Sequence, residues 1–399
     1  MNDQEIRNIT RLTDELVADL LETSNPEIVA EAVEDFGSVE CVIASLRNEI
    51  ESAINSVAKE RLIAARQAFE EARKVRVNER VDFTFAQKQI EEFMSPESGR
   101  HKLTMAARNG QGSSERDMLS AFSDICDLSA NVRHVPKFVF GRLPKAEQIL
   151  RSLGITSPDE IDVEAIAWHL GAKVKYDYLE SCDARIIGAD NNAVITVDRS
   201  ASPQRQRFSI CHELGHWIYH RRRMLLCQAD EIERPGAGSK NVERIADQFA
   251  SDLLMPKYLF LPIAEKLGRP SLSVVRKLAE GFNTSHTATA IRLVETNQLP
   301  LLLVSHGKDG RRWFTRSQTV KSSWFPANDL APDSLAFAMV YVKTALNSMP
   351  PKTVNALNWF GRQDASKFDV IEESFRVSGT EILTLLAFKD PRAFVQFGD

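Results

Sequence analysis

The pentapeptide His212-Glu213-Leu214-Gly215-His216 constrains this chain more than any other segment. Residues four apart share one face of an α-helix. If the segment is helical, His212 and His216 direct two imidazoles at a single point, with Glu213 beside them. This is the HExxH arrangement, in which two imidazoles bind zinc and the glutamate takes a proton from metal-bound water. Chance alone would place the pattern in roughly one chain in a hundred of this size and composition. The flanks support a helix. Ser202 suits an N-cap and Pro203 the first helical position. Cys211, Leu214 and Ile218 form an apolar stripe, so the core face and the metal face are separate. His220 falls close to the Glu213 face and is a candidate transition-state contact, with Tyr219 a weaker one.

A zinc site that keeps one position open for water needs a third protein ligand. The next helical pattern, Asn241 to Met255, supplies Glu243 for that role, with Asn241 as its expected cap. Asp247, four residues on, is placed to accept the other ring N–H of a liganding histidine. Ala246, Phe249, Ala250 and Leu253 form the packing face, and the alanines allow close approach to the first helix. HExxH followed by ExxxD is the glutamate-zincin pattern.

With these residues assembled, the runs Arg207 to His220 (RFSICHELGHWIYH) and Glu243 to Pro256 (ERIADQFASDLLMP) resemble the ImmA/IrrE family of metallopeptidases. The resemblance is good over about 140–300 and loose over the last hundred residues. Cys211 stands where the family usually has alanine and Asp247 where asparagine is common, and neither change removes a ligand. The resemblance implies a zinc-dependent endopeptidase, with manganese as the alternative metal, whose substrate is a helix-turn-helix repressor of stress or mobile-element genes. It also implies an extended substrate docked along a strand close to the HExxH helix, and a C-terminal domain of sensor type. Two other readings remain: a non-catalytic regulator that binds a repressor or DNA, and a toxin-like or antiphage peptidase effector.

The bulk properties are those of an intracellular globular protein. The chain has 399 residues, 43% hydrophobic and 26% charged, with net charge −5. That balance argues against nucleic-acid affinity of the whole protein. No apolar leader or long apolar run is present, so a cytoplasmic protein with no membrane partner is expected. Five cysteines without a CxxC argue against a disulfide framework.

The expected class is α+β, a mostly helical zincin-like peptidase domain with a small sheet. Residues 1–128 read as a helical N-terminal extension. Within it, 49–74 is expected to be a long hairpin or short coiled coil, and 94–117 a polar linker. The peptidase domain is placed at 140–260, with strands near 172–178, 184–188 and 193–197, the last a buried or edge strand. Residues 261–298 resemble a helix-turn-helix unit. DNA binding through 270–296 is the lesser reading there, since His286 and Arg292 are its only basic candidates on the second helix. Residues 299–399 are expected to form a small α/β domain, with a helix over 334–346.

Overall fold

The computed structural model describes residues 24–74, 82–94, 102–103, 114–130, 146–220, 237–296, 299–342, 347–379 and 381–390. The chain divides into two compact units, residues 1–60 and 61–399. In the first, α1 (Asn25–Phe36) is opened by Ser24, whose N–H donates to the Glu27 carboxylate at 3.2 Å, and closed by Gly37 at φ 81°. Only glycine adopts that left-handed backbone without cost, so the helix stops there. The next helix, α2 (Val39–Lys74), is unbroken for 36 residues. The hairpin expected at 49–74 is therefore absent. The segment contains no glycine or proline to make a turn, while Ala, Glu, Lys and Arg all favour continuation.

In the second unit, the end of α2 buries Ala65, Phe69 and Ala72, with Phe69 set edge-on to Trp168 at 6.3 Å. Then follow α3 (Phe83–Met94), β1 (Lys102–Leu103), α4 (Glu115–Ala130), α5 (Ala146–Ser152), α6 (Val163–His169), β2 (Ala172–Asp177), β3 (Ala184–Ala189) and β4 (Asn192–Asp198). The sheet order is β1-β3-β4-β2, with β4 parallel to β2 and antiparallel to β3. Strand β4, the AVITV segment, is thus central and paired on both sides. Among the described residues, the outer side of β3 is paired only at Gly188 and Ala189, opposite Leu103 and Lys102. Among the described residues, the backbone open to an added strand is therefore that of β3 over 184–187, on the side away from β4, and the outer side of β2.

The expected polar linker ends in α4, and that helix is fastened to the sheet by charge. Arg185, 1% exposed, donates to Asp124 through Nε and Nη2 at 3.1 and 2.7 Å, to the Asp117 carbonyl at 3.1 Å and to Ser120 at 2.6 Å. Thr196 donates to Asp124 at 2.8 Å, and Lys175 lies 3.0 Å from Asp124 and 2.8 Å from Asp127. Asp117 accepts the N–H groups of Glu180 and Ser181 at 3.1 and 3.0 Å. Removing one member of such a network leaves a buried charge without its partner, typically costing about 3–5 kcal/mol. Asp124→Ala is accordingly expected to lower the urea midpoint by an amount equivalent to that loss. Asp124→Leu combined with Arg185→Met should recover most of it, and a single variant as stable as wild type would remove the latch.

The chain continues through α7 (Pro203–His220), α8 (Ala237–Leu254), α9 (Lys257–Leu267), α10 (Leu272–Phe282) and α11 (His286–Glu295). Ser271 and Ser285 cap the last two through their hydroxyls, and Asn283 turns the chain between them at φ 50°. The two helices are thus joined by a short turn. Arg292 does not face outward, however. It is 1% exposed, 2.8 Å from Asp252 and bonded to the Met255 carbonyl at 2.9 Å. One of the two basic residues considered for DNA contact is thus a buried strut tying α11 to α8, while His286 is exposed.

A five-stranded antiparallel sheet follows, formed by β5 (Leu301–Gly307), β6 (Gly310–Arg316), β7 (Lys352–Asn355), β8 (Asp369–Ser378) and β9 (Glu381–Phe388) in the order β6-β5-β9-β8-β7. One short helix, α12 (Leu335–Tyr341), packs beside it, and residues 343–346 of the longer helix expected here lie outside the described residues. Buried Glu372 accepts from Ala336 N–H and the Trp359 indole, while Glu373 accepts from Leu272 N–H at the start of α10. The fold is α+β. Among the described residues, no helix is long and apolar enough to cross a membrane.

Candidate metal centre

Helix α7 starts where its sequence indicates, with the Ser202 hydroxyl accepting from Arg205 N–H at 3.3 Å. Its packing face is fully internal. Cys211 and Leu214 are 0% exposed, and Trp217 donates its indole N–H to the Leu170 carbonyl at 2.9 Å. Burial pushes the Cys211 thiol up to about 12, so it packs as a small apolar group and is not a ready thiolate.

Helix α8 crosses α7 at Gly215. A Cβ on that glycine would lie 2.9 Å from Ala246 Cα and 3.2 Å from the Ala246 carbonyl oxygen. The missing side chain at 215 and the small one at 246 let the two backbones approach closely. That approach brings Glu243 over the histidine pair. The helix begins at Ala237, earlier than its sequence suggests, so Asn241 lies inside it and is not its cap.

His212 Nε2 and His216 Nε2 are 3.0 Å apart. Glu243 places Oε2 3.3 Å from His212 Nε2 and Oε1 3.5 Å from His216 Nε2. Two imidazole nitrogens and a carboxylate thus converge, within 4.8 Å of one another. Zinc bonds of about 2.0–2.2 Å around a tetrahedral centre separate ligand atoms by about 3.3–3.6 Å. The donor set and its spacing therefore fit a small divalent cation with three protein ligands. Asp247 lies 2.8 Å from His212 Nδ1, where a proton on Nδ1 leaves the Nε2 lone pair facing the site. Glu213 is buried, at 3% exposure, between the two histidines in sequence.

The electrostatics of these side chains follow from this geometry. Burial works against charge on His212, but bonds to Asp247 and Glu243 and the nearby Glu213 outweigh it, raising its pKa to about 9. Hydrogen bonds from His212 and His216 hold the Glu243 carboxyl far below the ordinary range. A proton on His212 competes with a metal for Nε2. At pH values below about 9, metal uptake must release that proton, so affinity falls as pH falls. Competition titrations are expected to show about a tenfold gain in affinity per pH unit from near neutrality upward, flattening near pH 9. A flat profile over that range would contradict the coupling.

Tyr219 is not among the side chains that converge here. Tyr219 packs edge-on to Phe249 at 5.8 Å, and burial raises its hydroxyl pKa. It lines a cavity of about 730 Å³ with Ile245, Gln248 and Asp252. Asp252 is nine residues beyond Glu243 and therefore on the opposite side of α8. His220 is the last residue of α7, and its side chain lies outside the described residues. The feature that sequence reasoning passed over is the bond between the sheet and α4. Its signal was present as Asp117, Ser120, Asp124 and Asp127 at helical spacing, opposite alternating Lys173 and Lys175.

Residues 166–294 match the sequence profile of the IrrE N-terminal-like domain, a peptidase family, and that span contains every residue of the centre. The radiation response metalloprotease IrrE of Deinococcus radiodurans is 27% identical over 109 residues, which are 27% of this chain and 33% of that protein. The chain thus spans about a third of the length of this curated relative. Among solved structures, a transcriptional regulator of Mycobacterium tuberculosis aligns with TM-score 0.44 at 15% identity, over 62% of this chain and 81% of that one.

Proposed function

We propose that this chain, whose residues 166–294 match the IrrE N-terminal-like domain, is a zinc-dependent endopeptidase of the ImmA/IrrE type that hydrolyses a peptide bond in a protein, specifically a helix-turn-helix transcriptional repressor. The observation that carries this reading is the convergence of His212, His216 and Glu243 at 3.0–3.5 Å beside a buried glutamate. Two imidazoles and one carboxylate suit zinc better than manganese, which favours oxygen ligands.

A cation held by these three side chains supplies Lewis acidity and brings the pKa of its water near 7. Glu213 accepts the proton of the attacking water and passes it to the leaving nitrogen. Its burial excludes bulk water from that transfer. Asp247 fixes the His212 ring through Nδ1. The outer edge of β3, open at residues 184–187 among the described residues, offers backbone N–H and C=O groups to an extended substrate. That edge takes the docking role expected of the strand before the HExxH helix, because β4 is paired on both sides. A repressor as substrate rests on the family resemblance, and a role in a stress response on the likeness to the radiation response metalloprotease.

The test is incubation of the purified protein with helix-turn-helix proteins encoded near it, with zinc or manganese added. Single-site cleavage, abolished by a chelator and restored by metal, is expected. Cleavage that persists in chelator, or no cleavage of any candidate by the metal-loaded protein, would overturn the reading.

A further inference from the structure

In the first unit, the described residues leave an apolar seam on α2 in solvent. Ile43, Leu46, Ile50, Ile54 and Val57 are 44%, 51%, 58%, 60% and 51% exposed. A contiguous run of large aliphatic side chains on one helix face is uncommon on a lone chain and marks an interaction surface. The spacing is a heptad. Ile43, Ile50 and Val57 occupy the a positions, and Val39, Leu46 and Ala53 the d positions. Residues repeating in this way lie in a narrow stripe that matches another helix bearing the same repeat.

We infer that this seam pairs with the same seam of a second copy of the chain, as a parallel two-stranded coiled coil over residues 39–57. Two features of the stripe select that partner. All three a positions are β-branched and the central d position is leucine, the combination that favours two parallel strands. The flanking charges agree. In a parallel, in-register pair, each g residue faces the e residue five positions on in the partner. Val42 then faces Arg47 and Glu49 faces Ile54, so no like charges meet. An antiparallel pair centred on the seam would set Arg47 against Arg47 and Glu49 against Glu49, which is repulsive. Ile54 at e widens the apolar strip on the side where the partner lies.

The test uses the full chain in sedimentation analysis up to about 100 µM. The wild type is expected to reach twice 44.8 kDa, and Ile50→Lys to remain at 44.8 kDa. Ile50 is solvent-facing in the single chain, so this variant should fold with an unchanged circular dichroism spectrum. In a Cys41→Ser background, Ile50→Cys should cross-link to a dimer under oxidised glutathione, because identical a positions face each other only in the parallel register. Ser52→Cys, away from the seam, should not. A wild type that is monomeric at every concentration would overturn the proposal, as would a dimer that survives Ile50→Lys. A dimer in which Ile50→Cys fails to cross-link would overturn the parallel arrangement.

Discussion

Glu213→Gln is expected to lower the rate of peptide-bond cleavage by roughly 10²–10⁴-fold while leaving metal content and substrate affinity nearly unchanged. Glutamine has the same shape and can still accept a hydrogen bond, but it cannot take a proton from water at neutral pH. Glu213 is 3% exposed, so no bulk solvent base can readily replace it. The loss should fall on kcat with little change in KM, the signature of an interaction made in the transition state. Single-turnover cleavage with metal analysis on the same samples reads both quantities. A variant that cleaves at the wild-type rate would remove Glu213 from the reaction. A variant that loses its metal would show that Glu213 supports binding instead.

The second large effect concerns the ligand set. Glu243→Ala removes the carboxylate that meets both His212 and His216, and metal affinity is expected to fall by well over 100-fold. Asp247→Ala takes away only the support behind His212, at 2.8 Å from its Nδ1. Loss of such outer support usually costs about 10–100-fold. The graded order, with Glu243→Ala far worse than Asp247→Ala and both worse than Glu213→Gln, separates the roles of the three acids. Equal losses for Glu243→Ala and Asp247→Ala would place Glu243 outside the coordination sphere. Because α8 is held against α7 at Gly215 and Ala246, neither exposed-edge substitution should unfold the domain.

The legible parts of this chain were those where local pattern and tertiary need coincide. His212, Glu213 and His216 share one helix, so their spacing alone specifies their geometry. The alanine stripe of 246 and 250 indicated close helix packing, and the Gly215–Ala246 crossing is that packing. Ser271 and Ser285 each open a helix, the kind of start that N-cap chemistry marks locally, and both hydroxyls accept a first-turn N–H. What escaped was decided by partners distant in sequence. Asp124 reads as an ordinary helix carboxylate until Arg185 and Lys175, more than fifty residues away, are placed beside it. Arg292 reads as a free basic group until Asp252 closes on it. The central position of β4 depends on β2 joining its far side in a parallel pairing, which no local alternation encodes. The start of α8 ran past Asn241 because residues on both sides of it are compatible with helix.

The central claim is that one divalent cation is held by His212, His216 and Glu243. Anomalous diffraction at the absorption edge of the bound metal, from crystals of the zinc-loaded protein, tests it most directly. The account predicts a single strong peak in contact with His212 Nε2, His216 Nε2 and a Glu243 carboxylate oxygen, with Asp247 outside the coordination sphere on His212 Nδ1. A peak elsewhere, or a cation bound by the two histidines with Glu243 turned away, would contradict it.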